Sequence, residues 1–341
     1  MLVSALFVWV VALTACASRD DAVVVIALHP KNPNILYIAT NEYIYKSRDT
    51  GKTWENISGG MSHSRVISMA IDPAYPATVY AGTKGDAVYK SYDGGQRWVP
   101  QKTGLDDVTI TSVVNDLVFD PTNPSRLFAA TTMGIFESVD GGDSWKKRMQ
   151  GMKEILMVVS FAIDQTRPNV MYAGTTGGVY VSRDQARTWA KANQGLISPE
   201  LLSSSRALMV NALAIDPTRP DTVYAGTLNG LYRTRDGARS WDRIAQDLPD
   251  QMIIATSVAP GATGTVYIAG RQGLYKSSDG GTTWKAMNNG LESLNIRSLA
   301  ISPSEPDTMY LGTNGTGLYR SHDGGERWES VPLSVTRGGR S

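Results

Sequence analysis

The sequence predicts an all-β protein, a seven-bladed β-propeller of four-stranded antiparallel blades. An eight-residue box that begins with Ser or Thr, has Asp third and ends in Trp occurs seven times in the 341 residues. The spacings between the seven tryptophans are 44, 47, 44, 52, 43 and 44 residues. A repeat of this length with strand-like content is typical of propellers, with one blade per repeat. No segment shows sustained helical periodicity, which favours an all-β fold.

Each repeat contains four β-rich runs in the same order, as the last one illustrates. Ile296–Pro303 is a short apolar run closed by a proline turn, and Asp307–Thr313 alternates like a half-buried strand. Gly317–Ser321 is the third run, and the fourth begins at Trp328 and continues to about Val335. Four short runs separated by Gly, Pro, Asn and Asp predict a four-stranded antiparallel sheet.

The box is predicted to be a structural turn between the third and fourth strands. Its Asp accepts backbone N–H groups a few residues on, its Gly-Gly pair supplies positive φ, and its Trp packs beneath the turn, so that the box forms a self-contained hairpin clasp. Where glycine is replaced by Thr50, Gln185, Ala186 or Ala238, we expect tighter or strained turns. The predicted structural residues are Asp49, Asp93, Asp140, Asp184, Asp236, Asp279, Asp323, Trp54, Trp98, Trp145, Trp189, Trp241, Trp284 and Trp328.

This box resembles the Asp-box (BNR) repeat of sialidases, xyloglucanases, sortilin-type receptors and photosystem II assembly factors, over residues 22–335. The resemblance implies that the boxes lie on one face of the propeller and that ligand sites lie on the opposite face. That face is formed by the turns between second and third strands and by the links between blades. Because the repeat serves enzymes, receptors and assembly factors alike, it does not settle the function.

The N-terminal residues predict export. Residues 1–16 form an apolar run that ends in Leu-Thr-Ala-Cys, similar to a signal peptide with a bacterial lipobox, although Lys and Arg are missing before it. Cys16, the only cysteine, is the predicted lipidation site, and the alternatives are an ordinary signal peptide or a short membrane anchor. Residues 17–21 are then a linker, 22–335 the propeller and 336–341 a disordered tail. The predicted location is a membrane-anchored lipoprotein that faces the periplasm or the cell exterior.

Composition excludes some classes of function. The net charge of +1 and pI of about 7.8 argue against a nucleic-acid partner. His29, His63 and His322 lie far apart in sequence, so we predict no metal site and no cofactor.

Sialidase chemistry is not predicted. The Phe/Tyr-Arg-Ile-Pro motif of that family is absent, and its nearest counterpart, Asp242–Ala245, is misplaced. Five tyrosines instead recur at one position of the second strand and are interpreted as core residues: Tyr80, Tyr172, Tyr224, Tyr267 and Tyr310.

Resemblance to xyloglucanases is closer, through Ile26–Pro30 and Ile35–Tyr37, but those enzymes use two aspartates in a cleft between two propellers and this chain has one propeller. A glycosidase requires a suitably spaced carboxylate pair. The weak catalytic candidates are Asp106, Asp107, Glu154 and Glu200, with Asp86 and Asp116 also near this face. No pair is distinguished by spacing, and solvated loop charges are the favoured interpretation.

Two links between blades carry apolar residues that suggest a partner-binding surface. The candidates are Met152, Ile155, Leu156, Met157, Leu196, Ile197, Leu201, Leu202 and Arg206. Exposed apolar and Met-rich loops suit adaptable protein contacts. The alternative is that these side chains fold back and plug the mouth of the channel.

The preferred hypothesis is an exported, lipid-anchored and monomeric propeller that binds rather than catalyses, acting as a protein-binding scaffold or assembly factor in the cell envelope. Its expected partner is an envelope or membrane protein. The alternative is a carbohydrate-active protein, either a glycan-binding module or a divergent glycoside hydrolase. Because the repeats are whole, no strand is expected to be exchanged between the termini, which makes the seam between the first and last blades the weakest.

Overall fold

The computed structural model describes residues 22–61, 64–105, 113–152, 157–196, 208–248 and 252–334. They form seven four-stranded antiparallel sheets and contain no helix in these ranges, which confirms the predicted propeller. No helix capable of crossing a membrane occurs among them. The predicted signal peptide, Cys16, the linker and the C-terminal tail lie outside the described residues.

Each sheet is built from four consecutive strands. Blades 1 and 2 contain β1 (Val25–Leu28), β2 (Leu36–Ala39), β3 (Ile44–Ser47), β4 (Glu55–Asn56), β5 (Val66–Ile71), β6 (Val79–Thr83), β7 (Val88–Ser91) and β8 (Val99–Gln101). Blades 3 and 4 contain β9 (Val114–Asp120), β10 (Asn123–Thr131), β11 (Gly134–Ser138), β12 (Lys146–Lys147), β13 (Val158–Ile163), β14 (Met171–Thr175), β15 (Gly178–Ser182) and β16 (Ala190–Lys191).

The remaining three blades repeat the pattern. Blades 5 and 6 contain β17 (Val210–Ile215), β18 (Val223–Thr227), β19 (Gly230–Thr234), β20 (Asp242–Ile244), β21 (Ile253–Val258), β22 (Val266–Gly270), β23 (Gly273–Ser277) and β24 (Lys285–Ala286). Blade 7 contains β25 (Ile296–Ile301), β26 (Met309–Thr313), β27 (Leu318–Ser321) and β28 (Glu329–Val331). Each sheet pairs first strand to second, second to third and third to fourth.

The second strand of each blade lies within the core, because both of its faces are covered by neighbouring blades. Tyr80, Tyr172, Tyr224, Tyr267 and Tyr310 are all at most 3% exposed, which confirms them as core residues. The first strands of the seven blades surround a central channel with a cavity of about 370 Å³. A propeller therefore has no single core but a ring of apolar seams between blades.

The ring closes without exchange of a strand, as the whole repeats predict. The Val23 amide donates to the Thr313 carbonyl (3.1 Å), and the Trp54 amide donates to the Ser334 carbonyl (3.2 Å). The Ser298 hydroxyl donates to the Val23 carbonyl (3.2 Å), as the Ser68 hydroxyl donates to the Val114 carbonyl (2.8 Å) between blades 2 and 3. The closing seam thus repeats bonds found at an interior seam.

Candidate functional site

The seven boxes connect the third and fourth strands and share one internal hydrogen-bond pattern. The Ser or Thr hydroxyl donates to Asp Oδ1 over 2.7–2.8 Å and accepts the amide of the fifth residue over 2.7–3.1 Å. Asp Oδ1 also accepts the amide of the seventh residue over 2.9–3.0 Å. The aspartates are therefore occupied within their own turns.

Hydrogen bonding to the carboxylates lowers their pKa values. The backbone amide of Arg97 and the Ser91 hydroxyl lower the pKa of Asp93 to about 2. At Asp236, partial burial opposes ionisation, but bonds from the Ser240 and Thr234 hydroxyls and from backbone amides outweigh it and lower the pKa to about 2. Such groups are permanently ionised acceptors at neutral pH, which suits a structural role and not proton transfer.

The boxes are not self-contained, and this corrects the expectation of a local clasp. At every seam the carbonyl of the fourth box residue accepts a hydrogen bond from a side chain of the preceding blade. The donors are Lys46 and Tyr37 to Gly94, Tyr80 to Gly141, Arg126 to Gln185, Arg183 to Gly237, Tyr224 and Arg233 to Gly280, Tyr267 to Gly324, and Arg320 to Thr50. Each box therefore fastens its blade to the one before it.

The box tryptophans also act across the seams. Six of the seven are buried, and Trp284 is half-buried. The indole N–H of Trp241 donates to the Ala192 carbonyl (2.8 Å), and its amide donates to the Gln194 carbonyl (2.9 Å) in the link that follows the preceding blade. Trp98, Trp189 and Trp328 make the same indole bond to Ile57, Arg148 and Met287.

The backbone strain expected in the boxes that lack one or both glycines is present. Thr50, Gln185, Ala186 and Ala238 have φ values of 61°, 65°, 64° and 69°, in the left-handed region that disfavours residues with a Cβ. The fold imposes this conformation because the fourth and fifth positions must present their carbonyl and amide in fixed directions.

Two residues of the predicted binding surface are core residues instead. Met152 is 8% exposed and Leu196 is 2% exposed, each within an apolar seam between blades. Both follow a glycine, Gly151 or Gly195, whose positive φ brings it against the backbone of the next box tryptophan. A Gly-Leu or Gly-Met pair recurs at 60–61, 104–105, 151–152, 195–196 and 290–291. This recurrence indicates a structural turn with a buried Leu or Met, and the sequence analysis did not use it.

The rest of that surface is only partly visible. Met157 is half-buried at the start of blade 4. Ile155, Leu156, Ile197, Leu201, Leu202 and Arg206 lie outside the described residues, so their assignment to a binding surface stays a prediction. Asp106, Asp107, Glu154 and Glu200 lie outside them as well.

Among the described carboxylates near this face, Asp86 is engaged by its neighbours. Its two oxygens accept from the Lys102 ammonium and the Tyr89 hydroxyl. Asp116 is different, because it lines the central channel. Its oxygens accept the Phe161 amide (3.0 Å) and the Leu117 amide (2.9 Å), while removal from solvent raises its pKa to about 6. No second carboxylate lines the channel cavity among the described residues.

A pocket of about 350 Å³ lies between blades 1 and 2, on the face that carries the links between blades and the turns between second and third strands. We call this the link face, and the opposite face, which carries the boxes, the box face. The β2–β3 turn forms one wall, where the Thr40 hydroxyl accepts the Tyr43 amide (3.1 Å) and leaves the Tyr43 ring 45% exposed. The link after β4 forms the other wall, fixed by the Ser58 hydroxyl, which accepts the Ile44 amide (2.8 Å). Glu42 and Met61 complete a mixed polar and apolar lining. Within the described ranges, no cluster of His, Cys, Asp and Glu suits a metal ion.

Comparisons with known proteins agree with this architecture. The family model described as Sortilin, neurotensin receptor 3 (Sortilin-Vps10) matches residues 42–134. Xyloglucanase Xgh74A of Acetivibrio thermocellus is 26% identical over 268 residues, which cover 64% of this chain and 32% of that protein. The chain thus spans about a third or less of the length of the curated relatives it matches.

Solved structures show the same fold. The GH74 xyloglucanase of Xanthomonas campestris has a TM-score of 0.72 at 17% identity, over 92% of this chain and 55% of that one. YCF48 of Cyanidioschyzon merolae has a TM-score of 0.63 at 18% identity, over 89% of this chain and 96% of that one. A structure of YCF48 bound to D1 peptide is also similar, with a TM-score of 0.58 at 16% identity over 78% of this chain and 80% of that one.

The seven blades define this chain as a β-propeller, and its seven boxes are consistent with the Asp-box repeat that the sequence resembles. Its fold is shared with xyloglucanases and with YCF48.

Proposed function

We propose that this protein is a non-catalytic propeller that binds a protein partner on its link face, at the pocket between blades 1 and 2. The observation that carries the proposal is the exposed Tyr43 ring beside Met61 and Glu42 in that pocket. An exposed aromatic side chain beside adaptable apolar and polar groups is a common composition of a protein contact.

The distribution of polar side chains supports binding over catalysis. The box aspartates each accept hydrogen bonds through Oδ1 within their turns, Asp86 is bonded to Lys102 and Tyr89, and Asp116 accepts two backbone amides. Glycoside hydrolysis requires two carboxyl groups in defined opposition across a sugar. The described residues offer no such pair around the pocket or the channel.

The comparisons add support of two kinds. YCF48 of Cyanidioschyzon merolae is matched over 96% of its length, and the structure of YCF48 bound to D1 peptide is matched over 80%. The xyloglucanase from Xanthomonas campestris is matched over 55% of its length. The propeller described here therefore corresponds to nearly the whole of that YCF48 and to about half of that xyloglucanase.

The second candidate is glycan binding at the same pocket. It is favoured by the exposed Tyr43 ring, which offers a stacking surface beside Glu42 and Asn56, and by the sequence similarity to a xyloglucanase. We further propose export with a lipid on Cys16, which rests on the apolar sequence before it. Mass spectrometry of the mature N-terminus tests this, with Cys16→Ser as the unlipidated control.

Cross-linked affinity purification with quantitative mass spectrometry tests the binding proposal. A stoichiometric partner of the wild-type chain is expected to be lost with Tyr43→Ala and retained with Tyr75→Ala. Tyr75 is a suitable control because it is 71% exposed in the β5–β6 turn, at the opposite ends of the strands. Retention of the partner by both variants would place its site elsewhere.

Binding of xyloglucan oligosaccharides to the same three proteins distinguishes the second candidate. Glycan binding that is lost with Tyr43→Ala, in the absence of a protein partner, would replace the first proposal by the second.

A further inference from the structure

The seam between blades 1 and 2 holds a second cavity, of about 280 Å³, on the box face. Its lining includes three side chains that carry positive charge or N–H donors, Lys46, Arg48 and His29. Lys46 is 4% exposed, whereas the Arg48 side chain is 58% exposed. The cavity therefore has a buried ammonium group at its base and an exposed guanidinium at its rim, where Arg48 Nη2 lies 4.0 Å from Glu55 Oε2.

Lys46 is held without a counter-ion. Its Nζ donates to the Gly94 carbonyl (2.8 Å) and lies 5.0 Å from the centre of the Tyr37 ring. No described carboxylate lies within 4.0 Å of it. Burial of an ammonium group is unfavourable, and burial together with the Arg48 charge lowers the pKa of Lys46 to about 8, although the Glu55 and Asp93 carboxylates oppose this shift.

The next seam shows a lysine at the same position that is paired with a carboxylate. Lys90 occupies the same strand position as Lys46, and its Nζ lies 3.1 Å from Oδ1 of Asp143, the sixth residue of the following box. The residue equivalent to Asp143 at the first seam is Gln96. Gln96 turns away and donates through Nε2 to Glu55 (2.9 Å). One carboxylate that the second seam supplies is thus missing from the first.

A second carboxylate is missing as well. In blades 2 to 5 the turn after the first strand begins with an aspartate, such as Asp72, whose Oδ1 accepts the amides of Ala74 (2.8 Å) and Tyr75 (2.9 Å). In blade 1 this residue is His29, whose Nδ1 accepts the amides of Lys31 (3.1 Å) and Asn32 (2.9 Å). Because Nδ1 is an acceptor, the imidazole proton lies on Nε2, which is left as a donor.

The remaining carboxylate of the lining, Asp93, is occupied in its own box. Its Oδ1 accepts the Ser91 hydroxyl (2.8 Å) and the Arg97 amide (2.9 Å), and its Oδ2 accepts Arg97 Nε (3.3 Å). Arg233 and Arg320 at other seams also bond box carbonyls without an acidic partner. The first seam differs from theirs in combining a cavity with two further donor side chains.

We propose that this cavity binds the carboxylate group of an external ligand, between Lys46, Arg48 and His29. The ligand carboxylate would stand where Asp143 stands at the second seam, and charge-assisted bonds from Lys46 and Arg48 would hold it. The site lies on the box face and does not depend on the proposed partner pocket of the link face. An acidic sugar and an acidic peptide side chain both carry this group.

Isothermal titration with sodium glucuronate and sodium glutarate tests the proposal, with phosphate and chloride as other anions. Saturable binding of at least one carboxylate is expected, with an affinity at least tenfold lower in Lys46→Gln. Lys276→Gln, at the same strand position of blade 6, is the matched control and should bind as the wild type does. Tighter binding of glucuronate would indicate an acidic sugar, and tighter binding of glutarate an acidic peptide.

A second variant guards against misfolding of Lys46→Gln. Gln96→Asp places a carboxylate at the position of Asp143, so we expect a higher Tm and at least tenfold weaker carboxylate binding. Absence of saturable binding to the wild type, preference for phosphate, or unchanged binding by Gln96→Asp would each overturn the proposal.

Discussion

The box face and the link face of this propeller are built by opposite strategies. On the box face seven eight-residue segments repeat the same hydrogen bonds, and each fastens its blade to the preceding one. On the link face the connections differ in length and sequence, as the tryptophan spacings of 43–52 residues show. The difference indicates that the repeated hydrogen bonds of the box face stabilise the propeller, whereas the links of the other face can vary in length and sequence.

The largest effect is expected where a box side chain joins two blades. Trp241→Ala removes a 3% exposed ring and its bond to the Ala192 carbonyl, and should cost about 3–5 kcal/mol of unfolding free energy. Trp284 is half-buried, so Trp284→Ala should cost less. Denaturant unfolding of both variants checks this, and equal losses would contradict the view that burial in the seam sets the contribution.

Acid should weaken the box face as a whole. The folded pKa values of Asp49, Asp93 and Asp236 are lowered to about 2, below the ordinary value near 4. Their stabilisation is therefore complete above about pH 4 and is lost as the pH falls towards 2. Thermal unfolding between pH 6 and 2 measures this, and a flat Tm below pH 4 would contradict it. Asp236→Asn should show a shallower fall than the wild type.

A smaller effect is expected from the left-handed box positions. Gln185→Gly relieves a φ of 65° and should stabilise the protein by about 1 kcal/mol. Gly237→Ala, at the same position of the next box with a φ of 69°, should destabilise it by a similar amount. A Cβ at Gly237 meets no atom closer than 3.4 Å, the distance to Asp221 Oδ1, so this pair separates backbone strain from steric clash. Changes in Tm of the same sign for both variants would contradict this account.

The smallest effect on stability is expected on the link face. Tyr43→Ala removes a ring that is 45% exposed, and should change the unfolding free energy by less than about 1 kcal/mol. Its consequence should lie in binding alone. A loss as large as that of Trp241→Ala would show that the pocket is a structural element and not a ligand site.

Much of this architecture follows from short-range signals. The tryptophan period predicts seven blades, and the second-strand tyrosines are buried as their recurrence indicates. The assignment of Met152 and Leu196 to an exposed surface was wrong. Their position after glycine in a repeated turn places them in a seam, and only comparison across all repeats would have revealed it.

The candidate sites were less accessible to sequence reasoning. The sequence places Tyr43 in a turn between strands, but the pocket beside it is formed only when the link after β4 packs opposite that turn. Lys46 and Gln96 are 50 residues apart, and their relation becomes apparent only beside Lys90 and Asp143. Such pairs are contacts between successive repeats, which alignment of single repeats does not show.

The sequence by itself determined the repeat, the strand order within each blade and the turn chemistry of the boxes. These depend on interactions within about ten residues, such as Asp to a nearby amide or glycine at positive φ. Only the tertiary structure decided that the box carbonyls join neighbouring blades, that Asp116 faces the channel and that Lys46 lacks a counter-ion. The physical reason is that burial and charge pairing at a seam are set jointly by two blades, whose mutual placement no local pattern encodes.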